Sequence, residues 1–172
     1  MKRGLITIST IIVCFLLQST VFQYLALASI TPNLLVIITA TFGFMRGKKE
    51  GLFVGFFCGL LMDIFSAEFI GFYALVYMLI GYANGFFKRL FFDEDIKLPI
   101  VLITVSEFLY GLIIYVFLYM MRSRFDFAYY LSHIIIPELV YTILVTLGLY
   151  QLILKINQRL EAKEKRSASK FV

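Results

Sequence analysis

The chain has 172 residues, of which 61% are hydrophobic and only 16% charged, with 16 Lys and Arg against 11 Asp and Glu. Mean hydropathy is +0.90. A soluble domain of this length cannot bury so much apolar surface, whereas a bilayer accepts it directly, so composition points to an all-α integral membrane protein.

In chain order the apolar runs predict about six transmembrane helices, at 4–24, 31–45, 51–66, 70–87, 98–121 and 134–154, followed by a basic tail at 155–172. Residues 1–154 then form a single transmembrane domain. Lys2 and Arg3 precede the first run, and Ala26-Leu27-Ala28 mimics a signal-peptidase site, but the length of the apolar run favours a retained helix. The prolines, Pro32, Pro99 and Pro137, all fall where spans are expected to begin, the place in a helix that tolerates a missing N–H. The runs 31–45 and 51–66 are short for a core of about 30 Å and could instead form a re-entrant hairpin.

Cations sort to one side of this arrangement. Fourteen Lys and Arg fall in the terminal segments and in the loops around Arg46–Lys49 and Lys88–Lys97, against Arg122 and Arg124 in the opposite loop. By the positive-inside rule both ends are cytoplasmic. The basic tail suits anionic lipid on that face. Aromatics mixed with charge at Arg122–Tyr130 suit an interfacial anchor on the other face.

Glycine carries the clearest spacing. Gly43, Gly47, Gly51, Gly55 and Gly59 recur every four residues and Asp63 continues the series, so Gly51, Gly55 and Gly59 line one helix face. Gly71, Ala74, Gly81 and Gly85 are expected to do the same on the next helix. Such faces either pack helices within the chain or receive a partner's helix. Asp63 and Glu68 fall near the outer surface, suited to capping, solvation or an extracytoplasmic contact. Glu107 lies mid-span beside Gly111 and Tyr115, so it should face the bundle, either joining helices or serving a functional site. Glu138 follows Pro137 in a first helical turn, where the dipole favours a carboxylate.

No catalytic constellation accompanies these residues. The single histidine, His133, has no metal-ligand spacing around it, and no phosphate loop, dinucleotide fingerprint or CxxC is present. Cys14 and Cys58 sit in apolar runs and read as small buried hydrophobes. The expectation is a protein that is not an enzyme and takes no cofactor or metal. Nucleic acid is an improbable partner, because membrane topology accounts for the positive charge.

A family resemblance runs through these same residues: Leu17-Gln18-Ser19-Thr20, Thr31-Pro32-Asn33-Leu34-Leu35, Phe42-Gly43-Phe44-Met45-Arg46-Gly47-Lys48-Lys49-Glu50-Gly51, Gly55 through Ser66, then Gly71-Phe72-Tyr73-Ala74-Leu75 and Gly81-Tyr82. In order and spacing they resemble the bacterial rod shape-determining protein MreD, closely over about residues 15–90 and beyond that in outline only. The resemblance implies a scaffold role in cell elongation and lateral peptidoglycan synthesis. It implies as partners an MreC-like single-span protein, a RodA-type glycosyltransferase, a class B penicillin-binding protein and an MreB-type filament. Substrate-binding subunits of energy-coupling-factor vitamin transporters share the outline and a similar fold, which makes a small-molecule-binding subunit the alternative. The outer loops carry few polar residues with which to enclose a hydrophilic vitamin.

Overall fold

A computed structural model describes residues 2–26, 30–66, 70–90, 96–119 and 126–168. Glu68, Arg122, Arg124 and most of the Ala26-Leu27-Ala28 site lie outside them. Every regular element among the described residues is helical. The order is α1 (Lys2–Ser19), α2 (Val21–Tyr24), α3 (Leu34–Arg46), α4 (Lys48–Ser66), α5 (Phe72–Asn84) with a 3-10 extension Gly85–Leu90, α6 (Lys97–Ile114) with a wide π turn Tyr115–Tyr119, α7 (Phe127–Tyr130), a second π turn Leu131–Ile135, and α8 (Ile136–Ala168).

Three of these are long and apolar enough to cross a membrane: Gly4–Tyr24, Lys97–Leu118 and Phe127–Leu160. The 13 residues of α3 span only about 20 Å. Its position explains how so short a segment is used, since all 13 are buried and α1, α4, α5, α6 and α8 pack around it. The apolar core is built on Leu34–Ile38, Phe42, Tyr77, Ile103, Tyr150 and Ile153. Lipid-facing positions are apolar too, as Leu5, Val13, Phe53, Leu75, Val101 and Leu144 are all exposed. That distribution belongs to a bundle solvated by lipid.

Several boundaries differ from those expected. The second helix begins at Leu34 rather than 31, because Asn33 caps it by accepting the Val36 N–H at 3.2 Å. The third begins at Lys48, three residues early, because a single residue separates it from α3: Gly47, at φ +100, makes the reversal that an L side chain resists. The last helical stretch begins at Phe127 and runs through Pro137, so this proline opens no helix. A ring inside a helix removes an N–H and crowds the carbonyl four residues back, and the widened turn at Leu131–Ile135 precedes it. Position 154 is likewise no break, since α8 continues to Ala168 and both Asn157 and Leu160 are buried against the bundle.

Candidate functional site

The glycine series lies on the seam between α4 and α5. The two helices run antiparallel, with Gly85 against Lys48, Gly81 against Gly51, Tyr77 against Gly55, and Tyr73 and Ala74 against Gly59. A Cβ at Gly55 would stand 2.6 Å from the Tyr77 carbonyl carbon and 2.9 Å from Met78 Cα, and one at Gly59 would stand 2.6 Å from Ala74 N. Contact at that range is backbone to backbone, the close approach that small residues permit in lipid. The face therefore receives the chain's own α5. Gly71 departs from the grouping made with Ala74, Gly81 and Gly85. It stands at φ +96 with nothing within 4 Å of a Cβ, so it turns the chain into α5 and packs no helix.

Asp63 completes this seam. It is fully buried, and its two carboxylate oxygens accept the N–H groups of Tyr73 at 2.9 Å and Ala74 at 3.0 Å. These are among the first N–H groups of α5, which have no partner within their own helix. A carboxylate at a helix N-terminus also meets the positive end of the dipole. Gly71 supplies no capping side chain, and α4 lends α5 its cap. The other motif residues do similar work. Gln18 Oε1 accepts the Leu35 N–H of α3 at 3.2 Å. Asn33 accepts the Tyr77 hydroxyl at 2.9 Å and donates its backbone N–H to Thr142 Oγ1 at 3.1 Å. Helix ends here are held by side chains from other helices.

At the opposite end of α3, Arg46 gathers three further helices. Its side chain is 1% exposed. Nε donates to Asn157 Oδ1 of α8 at 2.9 Å, and one terminal nitrogen donates to Thr7 Oγ1 of α1 at 2.9 Å and pairs with Glu50 of α4 at 3.2 Å. The guanidinium lies 4.4 Å from the centre of the Phe42 ring, and the Arg46 carbonyl accepts from Lys88 Nζ at 2.8 Å. The first turns of α1 and the latter part of α8 thus meet at one end of the bundle. Sequence reasoning missed Arg46 as a hub, having counted it only as a loop charge. Arg46→Lys should lower stability by about 1.5–3 kcal/mol, because an ammonium cannot reproduce the planar fork that reaches Asn157 and Thr7 together. Thermal unfolding of the purified variant in detergent measures this.

The mid-bundle acids come together from two helices. Glu107 of α6 is 3% exposed, and neither carboxyl oxygen makes a hydrogen bond of ordinary geometry. The carboxyl of Glu138 and the hydroxyl of Thr142, both on α8, are close enough to act on it electrostatically. Glu138 therefore faces another acid, from the position just after Pro137. Next to Glu107 on α6, Ser106 accepts from Asn84 Nδ2 of α5 at 2.7 Å. Cys14 and Cys58 are buried free thiols.

Against this geometry, a family model described as rod shape-determining protein MreD matches residues 1–160. The chain belongs to the MreD family. Comparison with curated proteins and with solved structures returned no match. The family gives the chain a role in rod-shape determination, as a membrane component of the cell-shape machinery. MreD is a structural component of that machinery and not a known enzyme family. Within the MreD match, the motif residues described above are those that join α1, α3, α4 and α5.

Proposed function

We propose that the chain is a non-enzymatic assembly subunit of the lateral wall-synthesis machinery, lying in the cytoplasmic membrane with six segments and both termini inside. The end at which Thr7, Arg46, Lys88 and Asn157 meet is then the cytoplasmic end, in keeping with the cation sorting of the sequence. The partner to expect first is an MreC-like single-span protein. Through it, or beside it, come a RodA-type glycosyltransferase, a class B penicillin-binding protein and an MreB-type filament.

The observation that carries the reading is how the motif block is used. Gly51, Gly55, Gly59, Asn33, Gln18 and Asp63 all make joints inside the chain, which pack α3, α4 and α5 together. The face of α4 turned away from α5 remains apolar and open, with Phe53, Phe56 and Phe57 exposed. A partner helix is therefore expected on the aromatic side of α4 rather than on the glycine side. The test is co-purification of the single-span partner from native membranes with wild type and with F53A/F57A. The double variant should keep its thermal midpoint and lose most of the partner. Retention equal to wild type would remove that face from the proposal.

A further inference from the structure

We infer that the charged end of the bundle holds an anionic phospholipid by its headgroup, in the pocket between the Gly47 reversal and the 3-10 extension of α5. This goes beyond partner assembly and does not depend on it. The open recess measures about 580 Å³, and Gly47, Lys48, Lys49, Gly85, Lys88 and Arg89 are among the residues that line it. Lys48 and Lys49 of α4 and Lys88 and Arg89 of the 3-10 extension put four cations around it, of which Lys88 also donates to the Arg46 carbonyl at 2.8 Å. Lys49 and Arg89 are exposed, and the Lys48 ammonium lies 3.4 Å from the centre of the Phe86 ring. The first turn of α4, a 19-residue helix, begins at Lys48 in the same wall, so its N–H groups and the positive end of its dipole add to the field. The recess exists because Gly85 rests on the Lys48 backbone, where a Cβ would overlap the chain.

A phosphate group is the ligand chemistry this combination recognises, and the neighbouring surface selects a lipid as its source. Leu75, Leu79, Tyr82 and Phe86 are exposed at steps of four, three and four, which places them in one stripe along α5 that ends at the pocket. The Tyr82 and Phe86 rings touch edge to face with centroids 5.1 Å apart. An acyl chain can lie along this stripe while the phosphate sits among the cations, the arrangement expected of a basic pocket between transmembrane helices.

The test is native mass spectrometry of the full chain with phosphatidylglycerol and phosphatidylcholine of identical acyl chains. Wild type should retain phosphatidylglycerol severalfold better. K49Q/R89Q should weaken that retention roughly tenfold or more, since each cation near an anionic surface contributes measurably to binding. K49R/R89K should restore it, and the tail variant K163Q/K165Q/R166Q should leave it unchanged. Equal retention of the two lipids, or loss only in the tail variant, overturns the site. Full displacement of lipid by millimolar inorganic phosphate overturns the lipid as source. A preference that emerges only in D93N/E94Q/D95N would make the chain's own acidic segment the occupant.

Discussion

Replacing Gly55 or Gly59 by alanine should destabilise the isolated chain by about 2 kcal/mol or more, although alanine is the better helix former by about 1 kcal/mol. The added methyl has no flexible neighbour to displace. At Gly59 it meets the Ala74 amide nitrogen at 2.6 Å, and at Gly55 the Tyr77 carbonyl carbon at 2.6 Å, so α5 must move as a body. Moving it would pull Tyr73 and Ala74 from Asp63 and disturb the Tyr77 bond to Asn33. Gly148→Ala is the matched control. Nothing lies within 4 Å of a Cβ there, so the same substitution should be neutral or stabilising. Thermal or denaturant unfolding of the variants in one detergent separates the two cases. Loss of partner association with an unchanged midpoint in Gly55→Ala would mean that the glycines face outward after all.

The second large effect is at Asp63. Asp63→Ala should cost about 2–4 kcal/mol, since it strands two backbone N–H groups in the interior and leaves a space where a carboxylate stood. Asp63→Asn keeps one acceptor oxygen and should fall between alanine and wild type. Hydrogen exchange gives the loss a location. Protection should fall first at Tyr73 and Ala74 in both variants, while α6 and α8 remain protected. Uniform loss across the chain would argue against a local cap.

Parts of this arrangement were legible in the sequence, and the reasons are physical. Hydropathy reports solvent, so an all-helical membrane chain followed from composition. The four-residue spacing of Gly51, Gly55 and Gly59 reports that one helix face is smooth, and period alone cannot say what fills it. The occupant is the next helix in the chain, antiparallel after a short connection. Asp63 continues the same spacing, yet its role depends on the α5 N-terminus being brought beside it. Gly71 belongs to the turn that does so, which removes it from the helix-face group. Arg46 was hidden by its own charge, because loop cations are common at a membrane surface and a buried hub looks no different in sequence. Pro137 misled in the other direction. A proline usually marks a helix start, and here the π turn at Leu131–Ile135 lets the helix pass through it. The pairing of Glu138 with Glu107 depends on how α6 and α8 pack, which spacing along either helix does not contain.

The placement of the chain with six segments and both termini inside rests on one geometric claim: the end of the bundle where Arg46 meets Thr7, Lys88 and Asn157 faces the cytoplasm, with α3 and α4 crossing as a pair. Thiol labelling in intact cells tests it most directly. The native Cys14 and Cys58 are buried and give little background. Lys49→Cys should resist a membrane-impermeant maleimide until the cells are opened, while Ser123→Cys, in the loop predicted on the opposite side, should label at once. Labelling of Lys49→Cys from outside would contradict the claim, because the α3–α4 reversal would then be re-entrant or the bundle inverted.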